Sequence, residues 1–285
     1  MSAPLAIWID GAVAPAGTDW PLDRALHYGD GLFETITVRG SVLRFEALHR
    51  ERLAEGCRRL QIGIDISRPW QYAQELARLH PDCTLKLLVS RGAAQARGYT
   101  PTGSEQSRVI CVVHPPPAEI EFPGFLRART LRSVLGENPA LAGLKHCNRL
   151  EQVLARQELQ RMESGRPDRP GPAVWEGIMG SSSGRLVSGT MSNVFLEVDG
   201  NWMTPSLDLC GVAGVTRAVV LREAPGLGLS IARRDVALAA VQRCTAMFLT
   251  NARMGVRAVH ELDGRALRDD ASVKHLAAKV AGLAR

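Results

Sequence analysis

Residues 143–159, GLKHCNRLEQVLARQEL, decide how the rest of the chain is read. The second part of the stretch carries a helical period, with Leu150, Val153, Leu154, Leu159 and Met162 marking an amphipathic helix over about 150–162. Just ahead of that helix stands Lys145, one of few lysines in this half of the chain, between the apolar residues 141–144 and Asn148-Arg149. A lysine held at the entrance to a core loses solvation, and neighbouring cations lower its pKa further; both favour the neutral amine that forms imines. On composition alone the same lysine reads as an ordinary surface residue preceding a helix. The surrounding chain has to decide between the two.

At 285 residues the chain has room for two α/β domains, each with its own core. Hydrophobic residues make up 45% and charged residues 22%, a balance that argues against both disorder and a fibrous repeat. No stretch approaches the roughly 20 apolar residues of a membrane span. Met1 to Leu5 lack the basic and apolar regions of a secretory signal, so a cytoplasmic protein is expected. Six cysteines are scattered without a CxxC pair or zinc spacing, which predicts reduced, packed thiols and no metal site. Lysine plus arginine exceeds aspartate plus glutamate by 35 to 29, a net charge of +6 that suits small anionic ligands. The charges alternate in sign, as in LHRERLAEGCRRL (48–60), and only three tyrosines are available to stack on bases. Nucleic-acid binding is the weaker reading of that charge.

Alternating apolar residues predict early strands in LAIWIDG and GLFETITVRG, then helices from Phe45 to about Leu60 and from Trp70 to about Leu79. Strands return in CTLKLLVSR and RVICVV. The four prolines of residues 114–124, HPPPAEIEFPG, exclude helix and central strand, so this segment is the expected linker between domains 1–113 and 125–285. Beyond it a strand is expected in RARTLRSVL, and a polar, proline-rich loop at 164–172 after the lysine helix. Asp199-Gly200 predicts a tight hairpin within SNVFLEVDGNWMTP, and Asp263-Gly264 a second such turn. Helix signals follow Thr216, recur near Asp235 and occupy the last dozen residues, among strands LSIAR and AMFLTN.

Four further strings stand with the lysine segment: YGDGLFET (28–35), LHRERL (48–53), AGVTRAVVLREA (213–224) and FLTNARMGVRAV (248–259). The KHCNRLEQ string closely resembles the lysine segment of aminodeoxychorismate lyases, folate-pathway members of the pyridoxal-phosphate (PLP) enzymes of fold type IV, the branched-chain-aminotransferase-like family. The other strings resemble that family's motifs in the expected order, from residue 26 to about 257. The resemblance implies a mixed α/β, two-domain fold with a larger C-terminal domain carrying the cofactor lysine, and a homodimer. It makes Lys145 the Schiff-base lysine and Arg52 a contact of the cofactor phosphate, a role that suits a guanidinium fork. Read locally, Arg52 is instead half of a helix-surface pair with Glu51 or Glu55. Gly214, Val215 and Thr216 become a phosphate cup at a helix start, with Thr250 and Asn251 closing over it. Thr35 is expected near the reacting centre, and Tyr28 and Arg97 at the substrate, Arg97 from the loop VSRGAAQARGYTP (89–101).

One position departs from the pattern. The family's E-G-T-x-S-N motif appears here as SGTMSN, so Ser188 stands where a glutamate normally faces the pyridine nitrogen. A neutral hydroxyl holds that nitrogen protonated less firmly and weakens the electron sink. Transamination suffers more from this than an elimination that ends in an aromatic ring. The resemblance and Ser188 together imply release of pyruvate from 4-amino-4-deoxychorismate to leave 4-aminobenzoate. A branched-chain or D-amino acid aminotransferase, or a catalytically impaired PLP-binding protein, are the alternatives.

Overall fold

Period-two alternation governs the first part of the chain and becomes an antiparallel sheet. The structure, a computed structural model, describes residues 6–13, 23–93, 98–116, 125–164 and 175–283. Contacts divide the chain into two compact units, Met1–Pro117 with Leu144–Asn148, and Ala118–Gly143 with Arg149–Leu283. The short piece around Lys145 therefore departs from the expected division: it packs with the first unit, because its backbone bonds to a strand of that unit.

The first unit contains β1 (Ala6–Ile9), β2 (Ala12–Val13), α1 (Arg24–Tyr28), β3 (Gly31–Arg39), β4 (Val42–Leu43), α2 (Glu46–Leu60), α3 (Ser67–Leu79), β5 (Cys83–Ser90) and β6 (Arg108–His114). Its six strands lie in the order β2-β1-β6-β5-β3-β4. In β3, Leu32, Glu34, Ile36 and Val38 are buried on one face, while Phe33 and Thr35 on the other are half-buried. Helix α2 packs on β3 and α3 on β5, and Leu53, Trp70, Ala73 and Leu76 of the helices are buried, as are Ile36, Leu85 and Leu87 of the strands. The approach is close at Gly56, where a Cβ would stand 2.7 Å from Leu32 Cδ1.

The second unit contains β7 (Leu126–Leu135), α4 (Leu150–Ser164), β8 (Glu176–Ser181), β9 (Leu186–Gly189), β10 (Asn193–Val198), β11 (Asn201–Pro205), α5 (Val215–Glu223), β12 (Ile231–Arg234), β13 (Ala246–Asn251), β14 (Gly255–Leu262), β15 (Arg265–Ala266) and α6 (Ala271–Gly282). Eight strands run β12-β11-β10-β13-β14-β7-β8-β9, and β15 pairs with β14. The sheet is mixed, with parallel pairs β11·β12, β14·β7 and β7·β8. Ile178, Val194, Leu196, Met247, Leu249 and Val259 form its main core, and Phe195 stacks on Phe248 at 4.5 Å. The hairpin turn at Asp199-Gly200 has φ of 51° and 77°, as its sequence requires, and Asp263-Gly264 repeats it at 53° and 89°.

Two expectations change, and two strands appear that the sequence did not announce. The helix signal near Asp235 becomes a 3-10 turn at Leu238–Arg243. Helix α4 reaches Ser164, but the face it buries is Ala155 and Leu159 against Leu131, Leu135 and Met179, whereas Leu150, Val153 and Leu154 are exposed. The strands β8 and β9 are buried at every residue, so no alternation announced them. Of the expected linker only 114–116 lie among the described residues, and of the loop at 164–172 only Ser164.

Candidate active site

In the first unit, two motifs far apart in sequence meet through backbone bonds. Phe33 N–H donates to Lys145 O at 2.9 Å, Cys147 N–H to Gly31 O at 2.9 Å, and Leu32 bridges His146. The lysine segment thus lies along the start of β3. The glycines of YGDG permit this approach: a Cβ on Gly31 would meet Cys147 Sγ at 3.3 Å, and one on Gly29 would meet Asn148 Cβ at 2.9 Å. Gly29 also has φ of 67°, which ends α1 in the left-handed region. The lysine is half-buried, and its Nζ stands 4.2 Å from the centroid of the Phe33 ring, whose π cloud attracts an ammonium. Lys86 Nζ approaches the same ring at 5.2 Å. Thr35 shares the Phe33 face of β3 and pairs with Lys86 across the strands.

On the other face of β3, Glu34 is buried and collects two side chains from one turn of α2. Arg52 Nε donates to Glu34 Oε1 at 2.8 Å, and Arg52 Nη2 donates to Oε2. His49 Nδ1 lies 2.6 Å from Oε2. Burial pushes the Glu34 pKa up, but the charges and hydrogen bonds of Arg52 and His49 outweigh it and hold the carboxyl at about 2. Burial pushes the His49 pKa down; Glu34 opposes this, while the positive charges of Arg52 and Lys145 add to it. A neutral imidazole here donates its Nδ1–H to the carboxylate. The local pairing of Arg52 with Glu51 or Glu55 does not form: Glu55 takes Arg58, three residues on. Sequence reading assigned no partner role to Glu34 or His49, although both stand inside the motifs that it used.

Tyr28 is half-buried under the Arg24 guanidinium, 5.0 Å from its ring, and meets Tyr99 edge-on at 5.3 Å. Arg24 Nε also donates to Asp30 at 2.9 Å and Nη2 to Tyr99 O at 2.6 Å, so one cation ties YGDG to the RGY string. Arg97 itself lies outside the described residues.

The second unit brings the other strings together. Gly214 caps α5, and a Cβ there would stand 2.0 Å from Asn193 Oδ1. Asn193 Nδ2 in turn donates to Val212 O at 2.8 Å, and Asn193 pairs with Thr250 between β10 and β13. Val215 and Thr216 open α5 and are buried. The Thr216 and Thr250 hydroxyls are buried without a hydrogen-bond partner among the described residues, a costly arrangement unless a ligand's acceptor atoms complete it. Asn251 is used locally: Oδ1 accepts from Arg253 N–H and Met254 N–H at 2.9 Å each.

Ser188 is buried in β9 opposite Met179. The carboxylate on neighbouring β8, Glu176, is fully buried and fully engaged. It accepts from Gly177 N–H at 3.0 Å, Thr190 N–H at 3.1 Å, Met191 N–H at 3.2 Å and Ser192 Oγ at 2.7 Å, and from the Thr190 hydroxyl. Glu176 therefore shapes the GTMSN turn from inside instead of presenting an acid beside residue 188.

A lysine docked on a strand edge, an arginine fork on a buried carboxylate, and a glycine-started helix with orphaned threonine hydroxyls are parts that an aldehyde-bearing phosphate cofactor needs. The chain belongs to the amino-transferase class IV family, whose pattern matches residues 31–262; this is the PLP-dependent fold type IV. Over 96% of its length it is 30% identical to an aminodeoxychorismate lyase of Vibrio harveyi, 98% of which is covered. The crystal structure of 4-amino-4-deoxychorismate lyase from Pseudomonas aeruginosa superposes with a TM-score of 0.84 at 38% identity, covering 96% of this chain and 97% of that one. The branched-chain amino acid aminotransferase from Escherichia coli shares the fold, with a TM-score of 0.83 at 19% identity over 99% of this chain and 95% of that one.

Proposed function

We propose that this chain binds PLP and acts as a 4-amino-4-deoxychorismate lyase, releasing pyruvate and leaving 4-aminobenzoate. One observation carries the reading: the 38% identity to a solved lyase of that name across nearly the whole of both chains. The residues fit the cofactor. Lys145 would hold its aldehyde carbon through Nζ, Arg52 and the start of α5 would take its phosphate, and the unpartnered hydroxyls of Thr216 and Thr250 are suited to phosphate oxygens. When bound, PLP supplies an electron sink for the bond broken beside an amine.

The rest falls to the protein. Lys145 Nζ, once freed, takes the proton from the substrate's amine-bearing carbon, and the half-buried setting over Phe33 limits competition from water. The ether bond to the enolpyruvyl group then breaks, the departing enolpyruvate takes a proton back from Lys145 Nζ in becoming pyruvate, and the ring becomes aromatic. Thr35 stands on the same strand face as Phe33, and Tyr28 and Arg97 belong to the strings that would orient the substrate. Ser188 supports elimination over amino transfer, because a hydroxyl polarises the ring less than a carboxylate does and Glu176 is committed to its own turn.

The test is a coupled assay in which chorismate, glutamine and an aminodeoxychorismate synthase generate the substrate. The wild type should yield 4-aminobenzoate, and Lys145→Ala should yield none. Amino transfer to 2-oxoglutarate without 4-aminobenzoate, from a PLP-loaded wild type, would replace the lyase by an aminotransferase.

A further inference from the structure

We propose that Glu34, backed by His49, is a positioning residue that aims Arg52 as the anion anchor of the first unit. The inference rests on the PLP reading above and adds to it the residue that sets the spacing between the lysine and the anchor.

The reasoning starts from how each group is held. Arginine carries a long, rotamer-rich side chain, so a guanidinium that must meet a phosphate in one orientation needs something to fix its plane. Glu34 supplies that fixture. Its carboxylate takes two bonds from Arg52 in the fork geometry, one of them from Nε at 2.8 Å. His49, one turn earlier on α2, bonds Oε2 at 2.6 Å and restrains rotation of the carboxylate about its own axis. The Glu34 side chain is only 1% exposed, and its backbone is set by the continuous β3–β5 ladder from Gly31 to Val38. It is a rigid holder rather than a surface partner.

The residue next to it does the corresponding work for the lysine, since Phe33 N–H bonds Lys145 O at 2.9 Å. Two consecutive residues of one strand therefore register the two groups: Phe33 holds Lys145 through the main chain, and Glu34 holds Arg52 through the side chain. The edge of the strand and one of its faces serve opposite ends of one requirement, a fixed distance between amine and anion anchor.

A carboxylate beside the anchor also has an opposing effect, because it cancels part of the charge that attracts an anion. The two effects predict changes of opposite sign, so the experiment decides between them. Apoprotein is titrated with PLP, and dissociation constants are measured for the wild type, E34Q, E34D, R52M and E34Q/R52M, with the thermal midpoint of each apoprotein recorded alongside. Positioning predicts that E34Q weakens PLP binding about tenfold. E34D keeps the charge but draws the fork back by one methylene, and should also weaken binding, whereas a role for charge alone would leave it at the wild-type value. In the R52M background E34Q should add no further loss, because Glu34 acts through Arg52.

Tighter binding by E34Q, a wild-type constant for E34D, or an undiminished E34Q effect without Arg52 would each overturn the inference. Should E34Q not fold, E34D and R52M decide the matter between them. A wild type that binds no PLP would overturn the cofactor reading itself, an outcome distinct from normal wild-type binding with insensitive Glu34 variants.

Discussion

Thr216 and Thr250 bury hydroxyls that nothing among the described residues satisfies, and that imbalance separates stability from binding. Thr250→Val removes an oxygen that makes no hydrogen bond, so the apoprotein should keep or raise its thermal midpoint. PLP affinity should fall by about ten- to a hundredfold, the loss of one hydrogen bond to a charged acceptor. A lower apoprotein midpoint together with unchanged PLP affinity would show the hydroxyl to be structural. Ser188 allows the opposite experiment. Ser188→Glu puts a carboxylate at a site only 8% exposed, so stability should drop, while amino transfer from a branched-chain amino acid to 2-oxoglutarate should rise by about tenfold or more. Steady-state assays of both reactions on the same preparation test this, and unchanged transfer would detach residue 188 from the ring nitrogen. Single residues also mark the limit of sequence reading. Lys145 was legible because a run of consecutive residues repeats a family string. Glu34 was visible only as a letter in YGDGLFE, because its pairing with a residue 18 positions away depends on α2 packing back over β3. Arg52 went the same way: local spacing offered Glu51 and Glu55, and the buried carboxylate won because charge-assisted bonds are stronger out of water.

At the scale of elements, the turn of 212–214 feeding α5 is closely packed. A methyl on Gly214 would stand 2.0 Å from Asn193 Oδ1, and Asn193 holds that turn through Val212 O. Gly214→Ala should therefore cost about 1–3 kcal/mol of stability by overcrowding, seen in urea unfolding, and weaken PLP binding along with it. Loss of stability with PLP affinity intact would remove the turn from the phosphate site. Elements with a period of their own were readable: α2, α3, β5, β6, β7, β10 and β11 appear where alternation or helical spacing put them. The turns of the Asp-Gly type were readable too, except Asp10-Gly11, which closes the β1–β2 hairpin with φ of 50° and 89°. What stayed hidden were β8 and β9, buried runs with no Asp-Gly turn between them of the kind that marked the equally buried β10 and its partner β11, and the face of α4. Apolar letters at Leu150, Val153 and Leu154 gave a stripe, but the packing surface was chosen by β7 and β8, which take Ala155 and Leu159.

For the whole molecule, the buried Glu34–His49 pair with its Arg52 fork sets a response to acid. The Glu34 pKa, about 2 in the folded chain against an ordinary 4.5, means that the unfolded chain binds the proton first. Its stabilising contribution is present above about pH 4.5 and is lost as pH falls toward 2. His49 acts in the same direction at higher pH: its folded pKa lies below the ordinary 6.5, so the unfolded chain gains a proton first and stability falls as pH drops below 6.5. The thermal midpoint should decline in two stages on acidification, and E34Q/R52M should flatten the lower one. A single stage unaffected by that double variant would mean that the group is not what acid attacks. The docking of residues 144–148 on β3 carries a further consequence for how the chain is made. The first unit cannot be completed by residues 1–117 alone, because the edge of β3 that receives Lys145 and Cys147 waits for a segment emerging from the ribosome later. Until then the nascent chain offers Gly31 and Phe33 as an open strand edge, a template for unwanted pairing. A ribosome stalled before residue 148 should therefore display an aggregation-prone intermediate that further elongation cures.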